Sequence, residues 1–186
     1  NIYNVTAVTN TISLKLLSEN PSSVTTGTVS GVNAVAIGHN ATATNDDSMA
    51  MGFTAQSIGH GAIALGYESI SSGMFSTTLG YKNKASAKYA TSTGHTNNCE
   101  GVGSTIIGGA SNRITGIFSS IMGGNNSTIT GKNSTAMGSN CNITHDGVFM
   151  WNNNTESDIN SSENNQYLIN SINGVGINNV HPSEAL

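Results

Sequence analysis

Charge is what this chain most lacks. Only 9% of its 186 residues are Asp, Glu, Lys or Arg, against roughly 25% in ordinary globular chains. Arg113 is the single arginine and the net charge is −4. With no basic stripe, the composition argues against binding to nucleic acid or to an anionic membrane surface. Long hydrophobic runs are missing too. No stretch approaches the ~20 apolar residues that span a bilayer, so direct membrane insertion is not expected. Disorder would need low hydrophobicity together with high net charge, and the charge is too small. The chain opens at Asn1 without a signal-like segment and reads as a fragment or processed product of something longer.

The motifs of catalysis are also scarce. There is no metal motif with ligand spacing, no G-x-S-x-G elbow and no phosphate loop. The five histidines, His39, His60, His95, His145 and His181, are scattered, and Asp46–Asp47 fits a solvated turn. An enzyme is the least supported class, and no cofactor is expected.

What fills the space is Asn, Ser, Thr and Gly in a strict rhythm. Gly38, Gly52, Gly66, Gly80, Gly94, Gly108, Gly123 and Gly138 are spaced 14, 14, 14, 14, 14, 15 and 15 residues apart. Each closes a five-residue phrase such as AVAIG, SMAMG, AIALG or STAMG. A short period held for this many copies means a coil whose turns stack on one another. About seven residues after each glycine comes a second small or turn-forming residue: Asn45, Gly59, Gly73, Ala87, Gly101, Gly116, Gly131 or His145. Each turn is therefore strand, corner, strand, corner, with glycine supplying corners through its tolerance of positive φ.

Strand alternation assigns the faces. In the first run Ser48 and Ala50, Ala62 and Ala64, Ser76 and Thr78, Ala90 and Ser92, and Ser134 and Ala136 point inward. In the second run Ala41 and Ala43, Ala55 and Ser57, Ser69 and Ser71, and Asn83 and Ala85 do the same. Rows of Ala and Ser close only over a thin, flattened interior. In the longer turns Ile114, Ile129 and Ile143 replace Ala, so that part should be wider. In this register Cys99 and Cys141 lie three turns apart, roughly 14 Å at ~4.8 Å per turn, too far to be bonded to each other.

The larger residues of the first run face outward: Val35, Ile37, Met49, Met51, Ile63, Leu65, Leu79, Ile107, Met122 and Met137. Fourteen residues with two corners cannot enclose them, so they need an external cover. A closed cyclic oligomer of identical chains would bury the stripe on its axis. A second column, His39, Phe53, Tyr67, Tyr81 and His95, follows the glycines directly. It is either a stabilising stack or a possible ligand surface for sugars or a partner protein.

The run SMAMGFTAQSIGHGAIALGYESISSG resembles the head repeats of YadA-like trimeric autotransporter adhesins, which alternate such phrases at a 14-residue period. The likeness runs from about Gly27 to Asn152. It implies a homotrimer of left-handed parallel β-rolls, extracellular and adhesive; handedness and the number three come from the resemblance alone. Farther on, QYLINSINGVGINNVHPSEAL resembles the connector of viral and phage fibre proteins at Gly174, Val175, Gly176, Ile177 and Pro182, with Asn178 in place of a glycine.

The expected organisation is a lead-in strand over 1–26, the β-roll head over 27–152, and a linker with a small β connector over 153–186. Phe149, Met150 and Trp151 read as a cap on the array. Two functions stand side by side. One is a trimeric surface-fibre head, on an outer membrane or a virion, that binds a host or prey cell-surface glycan or protein multivalently. The other is a virion or tail-fibre spacer ahead of a chaperone or receptor-binding domain. Ice binding would need Thr-x-Thr in successive turns, and Thr42 and Thr44 are followed at the next turn by Gln56 and Ile58.

Overall fold

The computed structural model describes residues 4–8, 11–15, 27–153, 156–172 and 175. Every regular element among them is a β-strand. Near the N-terminus, Asn4–Val8 and Thr11–Lys15 pair antiparallel as a hairpin with Val8 opposite Thr11. The lead-in is thus two strands in a sheet of their own.

From Thr28 to Asn170 the chain forms the thin parallel β-roll that the period predicts. Two ten-stranded sheets lie side by side, and each turn adds one strand to each. The front sheet carries the first runs, among them Val35–Ile37, Met49–Met51, Ile63–Tyr67, Thr77–Tyr81 and Thr91–His95. The back sheet carries the second runs, mostly two-residue strands such as Thr42–Ala43, Gln56–Ser57 and Ile70–Ser71. Equivalent residues stack in register: Ala36 on Ala50, Ala50 on Ala64, Ala64 on Thr78 and Thr78 on Ser92.

The interior follows the alternation. Ala41, Ala43, Ala50, Ala55, Ala62 and Ala64 are fully buried, so the early turns have an interior of little more than methyl groups. Later turns substitute Ile114, Ile129 and Ile143 on the back strand, as the sequence indicates. Ile106 and Ile121 fill the front strand as well. Between the alanine and isoleucine clusters lies a polar belt of buried hydroxyls. There Ser71 and Ser76 share a 2.6 Å hydrogen bond. Ser76 also donates to the Gly73 carbonyl at 2.7 Å, whereas Thr78 Oγ1 is buried without a partner.

The corners correct two expectations. Glycines of the first corner do have positive φ, +125° at Gly66 for example. Those of the second corner, such as Gly73, do not; they are needed because a Cβ on Gly73 would lie 1.9 Å from the Ala87 carbonyl oxygen. At Gly73 only glycine lets the turn approach the next this closely, although Asn45, Ala87 and His145 fill the slot in other turns. The second correction is a slip of one residue in the longer turns. A Cβ on Gly109 or Gly124 would meet the next turn's carbonyl oxygen at 2.0 and 1.9 Å, as at Gly66, whereas Gly108 faces open space. Gly109 and Gly124 therefore hold the repeat's structural position, and Gly108 and Gly123 are the inserted residues.

The bulky phrase Phe149–Trp151 is not the end of the array. Tyr167–Asn170 pairs in parallel with Phe149–Asn152, and Ile159–Asn160 with the strand Cys141–Ile143. Phe149 stacks on Tyr167 with centroids 4.8 Å apart. The roll thus runs one turn beyond the boundary at 152, its strands offset by 18 residues from the turn before, which a fixed 14- or 15-residue period does not reveal. In the connector phrase Gly174, Gly176, Ile177, Asn178 and Pro182 lie outside the described residues.

Candidate functional site: the outer face of the front sheet and its two edges

Two columns of side chains point out of the front sheet, and they are not equivalent. One holds Val35, Met49 and Ile63, then turns to Thr77, Thr91, Thr105, Ser120 and Thr135. The other holds Ile37, Met51, Leu65 and Leu79, is interrupted by Thr93, and resumes with Ile107, Met122 and Met137. Leu79, Ile107 and Met122 are each more than half exposed, and Val35, Met49 and Met51 are exposed as well. A single chain leaves this apolar stripe in water. Because strand side chains alternate, the small inward residues force the large ones outward.

Along the first edge the ring column is a true stack. His39 to Phe53, Phe53 to Tyr67, Tyr67 to Tyr81 and Tyr81 to His95 have centroid separations of 5.2, 5.0, 5.0 and 4.8 Å. Interplanar angles are 18° or less. Stacking consumes the ring faces, so the ladder presents ring edges. A sugar docks on an open ring face, and the ladder offers few of these. Glu68 binds Lys82 at 3.2 Å beside the stack. The Tyr67 hydroxyl is held above its ordinary pKa, first by the hydrogen bond it donates to Glu68 and then by the charge of that carboxylate. Lys82 is also raised, chiefly by Glu68 and next by Tyr81.

Beneath that edge runs a buried amide ladder. Asn83 donates to the Leu79 and Gly94 carbonyls at 2.8 and 2.6 Å. Its Oδ1 accepts from the Asn97 backbone N–H at 2.9 Å. Asn97 does the same for Asn112, and Asn112 for Ser127. Each amide thus satisfies corner groups that a narrow interior could not hydrate. The sequence pattern marks Asn83 as interior but not Asn97 or Asn112, whose type suggests a surface turn. A serine ladder repeats the device at the second edge: Ser104, Ser119 and Ser134 bond successive backbone N–H groups.

The second edge holds a feature that the glycine rhythm does not reveal. Phe75 and Tyr89 stack at 5.8 Å and 6°, with His60 edge-on to Phe75 at 5.5 Å. Phe118 lies over Gly103, and Phe75 over Gly61, where a Cβ would meet the ring at 2.7 and 2.5 Å. Phe75, Tyr89 and Phe118 have φ of 55°, 60° and 53°, a region that bulky residues seldom occupy. They are also exposed, Phe118 by 67%. The αL signal lies in backbone geometry, which composition does not disclose.

Cys99 and Cys141 are buried and free. Burial pushes the Cys99 thiol up to about 11. Among the described residues no group of three or more His, Cys, Asp or Glu is placed to hold a metal ion.

These features define a class: a thin parallel β-roll with one apolar outer face, two built edges and a polar back. The YadA head domain repeat matches residues 30–55, 57–80 and 124–140. Over those stretches the roll is similar to the repeats of the YadA head. The turns between 81 and 123, where Thr93 interrupts the apolar column and the inserted Gly108 and Gly123 fall, lie outside the match. No curated protein matches the chain.

Proposed function

We propose that three copies of this chain close around the apolar column of the front sheet, forming the head of an extracellular surface fibre that attaches to a host or prey cell by multivalent binding. The observation that carries the reading is the apolar column from Ile37 to Met137, exposed at Met51, Leu79, Ile107 and Met122, on a coil too thin to enclose it. Geometry favours three. A five-residue front strand is about 16 Å wide at about 3.3 Å per residue. Three such walls stand about 5 Å from their common axis, half the ~10 Å spacing of packed sheets. Four would stand about 8 Å away, too far for Met, Leu and Ile to fill the centre.

Attachment then falls to the surface turned away from the axis. Its back-sheet column runs Thr42, Gln56, Ile70, Lys84, Asn98 and Arg113, and changes chemistry at every rung. Arg113 is paired with Glu100 at 2.5 Å. A polar, weakly charged surface of this kind suits hydrogen bonding to a glycan or protein, and three copies on one rod turn weak contacts into avidity. The competing reading, a spacer, draws support from the first-edge rings, whose faces are already occupied by one another.

Multi-angle light scattering of the chain tests the assembly; a trimer is expected and a stable monomer refutes it. Cell attachment and glycan-array binding of the same preparation test the adhesive role. A folded trimer that binds no cell and no glycan makes this segment a spacer.

A further inference from the structure

We infer that the two edges of the front sheet are made for each other: the ring ladder of one copy packs against the second edge of the next copy, rung for rung, so that opposite edges form the seams of the assembly. This rests on the threefold reading above and adds the surfaces that meet, their polarity and their register. It also moves the ring ladder from the target-binding surface to the contact between copies.

Three observations carry it. First, both edges are built at a cost to the isolated chain. Phe75 and Tyr89 sit in the left-handed region and remain exposed, although Asp47 and Asn33 fill the equivalent positions two and three turns before Phe75. Residues that accept backbone strain without burial in their own chain point to burial elsewhere. Second, the first-edge rings are stacked face to face and exposed along their rims. A rim offers the positive edge of the ring quadrupole, which prefers another aromatic face or an apolar side chain. The second edge supplies the exposed thioether of Met74, a group that packs well on ring edges, beside the stacked pair of Phe75 and Tyr89.

The third observation is the charge register. Front strands link the second-edge residue and the first-edge residue of one level: His60 leads to Tyr67–Glu68, Met74–Phe75 to Tyr81–Lys82, and Lys88–Tyr89 to His95. Rotation about an axis parallel to the coil keeps each level at its own height. In a closed ring Glu68 therefore faces the His60 of a neighbour, and Lys82 faces Met74 and Phe75. Sliding the copies by one level in one direction would bring Lys82 against Lys88. Sliding them in the other would bring Glu68 against Asp46 and Asp47. The register that symmetry demands is the one that avoids like charges, so the edges also discriminate against staggered assembly.

The test uses cysteine pairs in the full chain, oxidised and run on non-reducing gels. Met74→Cys/Tyr81→Cys and Lys88→Cys/His95→Cys each place one thiol on either edge of a single level. Within one chain they are separated by a front strand about 16 Å long, too far to bond. Native Cys99 and Cys141 are buried and do not compete. Most of the chain should migrate as a covalent trimer from both matched pairs. None should do so from the single substitutions, or from His60→Cys/His95→Cys, whose thiols are about 10 Å apart in height. Circular dichroism confirms folding, and the two matched pairs serve as independent variants. A trimer by light scattering that gives no covalent trimer from either matched pair overturns the seam and leaves the threefold reading intact. Dimers from a single-cysteine variant overturn the pairing of opposite edges. A monomeric parent chain overturns both readings.

Discussion

Replacing Gly66 and Gly108 by alanine, one at a time, separates two costs that usually come together. Both residues close a repeat phrase and both have positive φ, +125° and +79°. At Gly108 a Cβ would meet nothing within 4 Å, so the cost is conformational alone, about 1–2 kcal/mol for an L-residue in left-handed space. At Gly66 the Cβ would lie 1.9 Å from the Gly80 carbonyl oxygen and 3.0 Å from its backbone nitrogen. No side chain can swing aside there, because both atoms are backbone in the next turn. The turns must separate, and the hydrogen bonds that tie Ile63–Tyr67 to Thr77–Tyr81 would stretch or break. Adding this to the conformational cost puts Gly66→Ala at more than about 4 kcal/mol, in the range reserved for collisions and broken networks. Thermal unfolding followed by circular dichroism should show a fall of a few degrees for Gly108→Ala, given about 2–4 °C per kcal/mol at this size. For Gly66→Ala it should show a fall of more than about 10 °C or failure to fold. Equal shifts would refute the claim that Gly109, and not Gly108, holds the structural position.

Four further outcomes are expected. Met51→Asp with Leu79→Asp should convert the assembly to monomer in light scattering, because unpaired carboxylates cannot be buried on an axis; an intact trimer would remove these residues from the interface. Ala64→Leu should lower stability by about 1–3 kcal/mol per chain through overpacking, and Ile121→Ala by about 2–5 kcal/mol through an unfilled cavity; chemical denaturation that leaves either midpoint unmoved contradicts the buried columns. Asn97→Ala should destabilise more than Asn98→Ala, since only the former strands buried backbone groups of the corners; hydrogen exchange at Asn112 N–H reads the difference. Cys99 should resist a thiol reagent near neutral pH and react once the protein is unfolded. Its folded pKa of about 11 lies above the ordinary 9.0, so the unfolded state gives up its proton first and stability falls as pH rises from about 9 to 11, on the order of 2 kcal/mol. Cys99→Ala should abolish that component of the pH dependence.

The architecture was legible because a solenoid writes itself into sequence as a period. Small residues at alternate positions of SMAMG and AIALG fixed both the thin interior and the outward stripe, and the ring column was readable because it shares that period. What escaped depends on geometry within the period. Inserted and structural glycines are adjacent in GGASN and GGNNS, and only the distance to the next turn's carbonyl tells them apart. Asn97 and Asn112 are polar residues of a type usually exposed, buried here because a corner without water needs their amides. Phe75, Tyr89 and Phe118 lie two residues past the second corner, where Asn, Asp and Gly occur in other turns, so no column of rings announces them. The turn beyond Trp151 was missed because its strands follow at 18 residues, off the 14- or 15-residue period.

The stacking of turns has a mechanical consequence. The hydrogen bonds between rungs run along the rod, so a pull on the two ends of one chain loads them one rung at a time and not side by side. Each peeled turn of 14 residues would release about 45 Å of extended chain, and single-molecule stretching should record a regular sawtooth with that spacing. Peeling from the alanine end would meet the hydroxyl belt at Ser71, Ser76 and Thr78 before it reaches the isoleucine-filled turns. The segment would yield in two stages, lengthening at modest force while the later turns still hold.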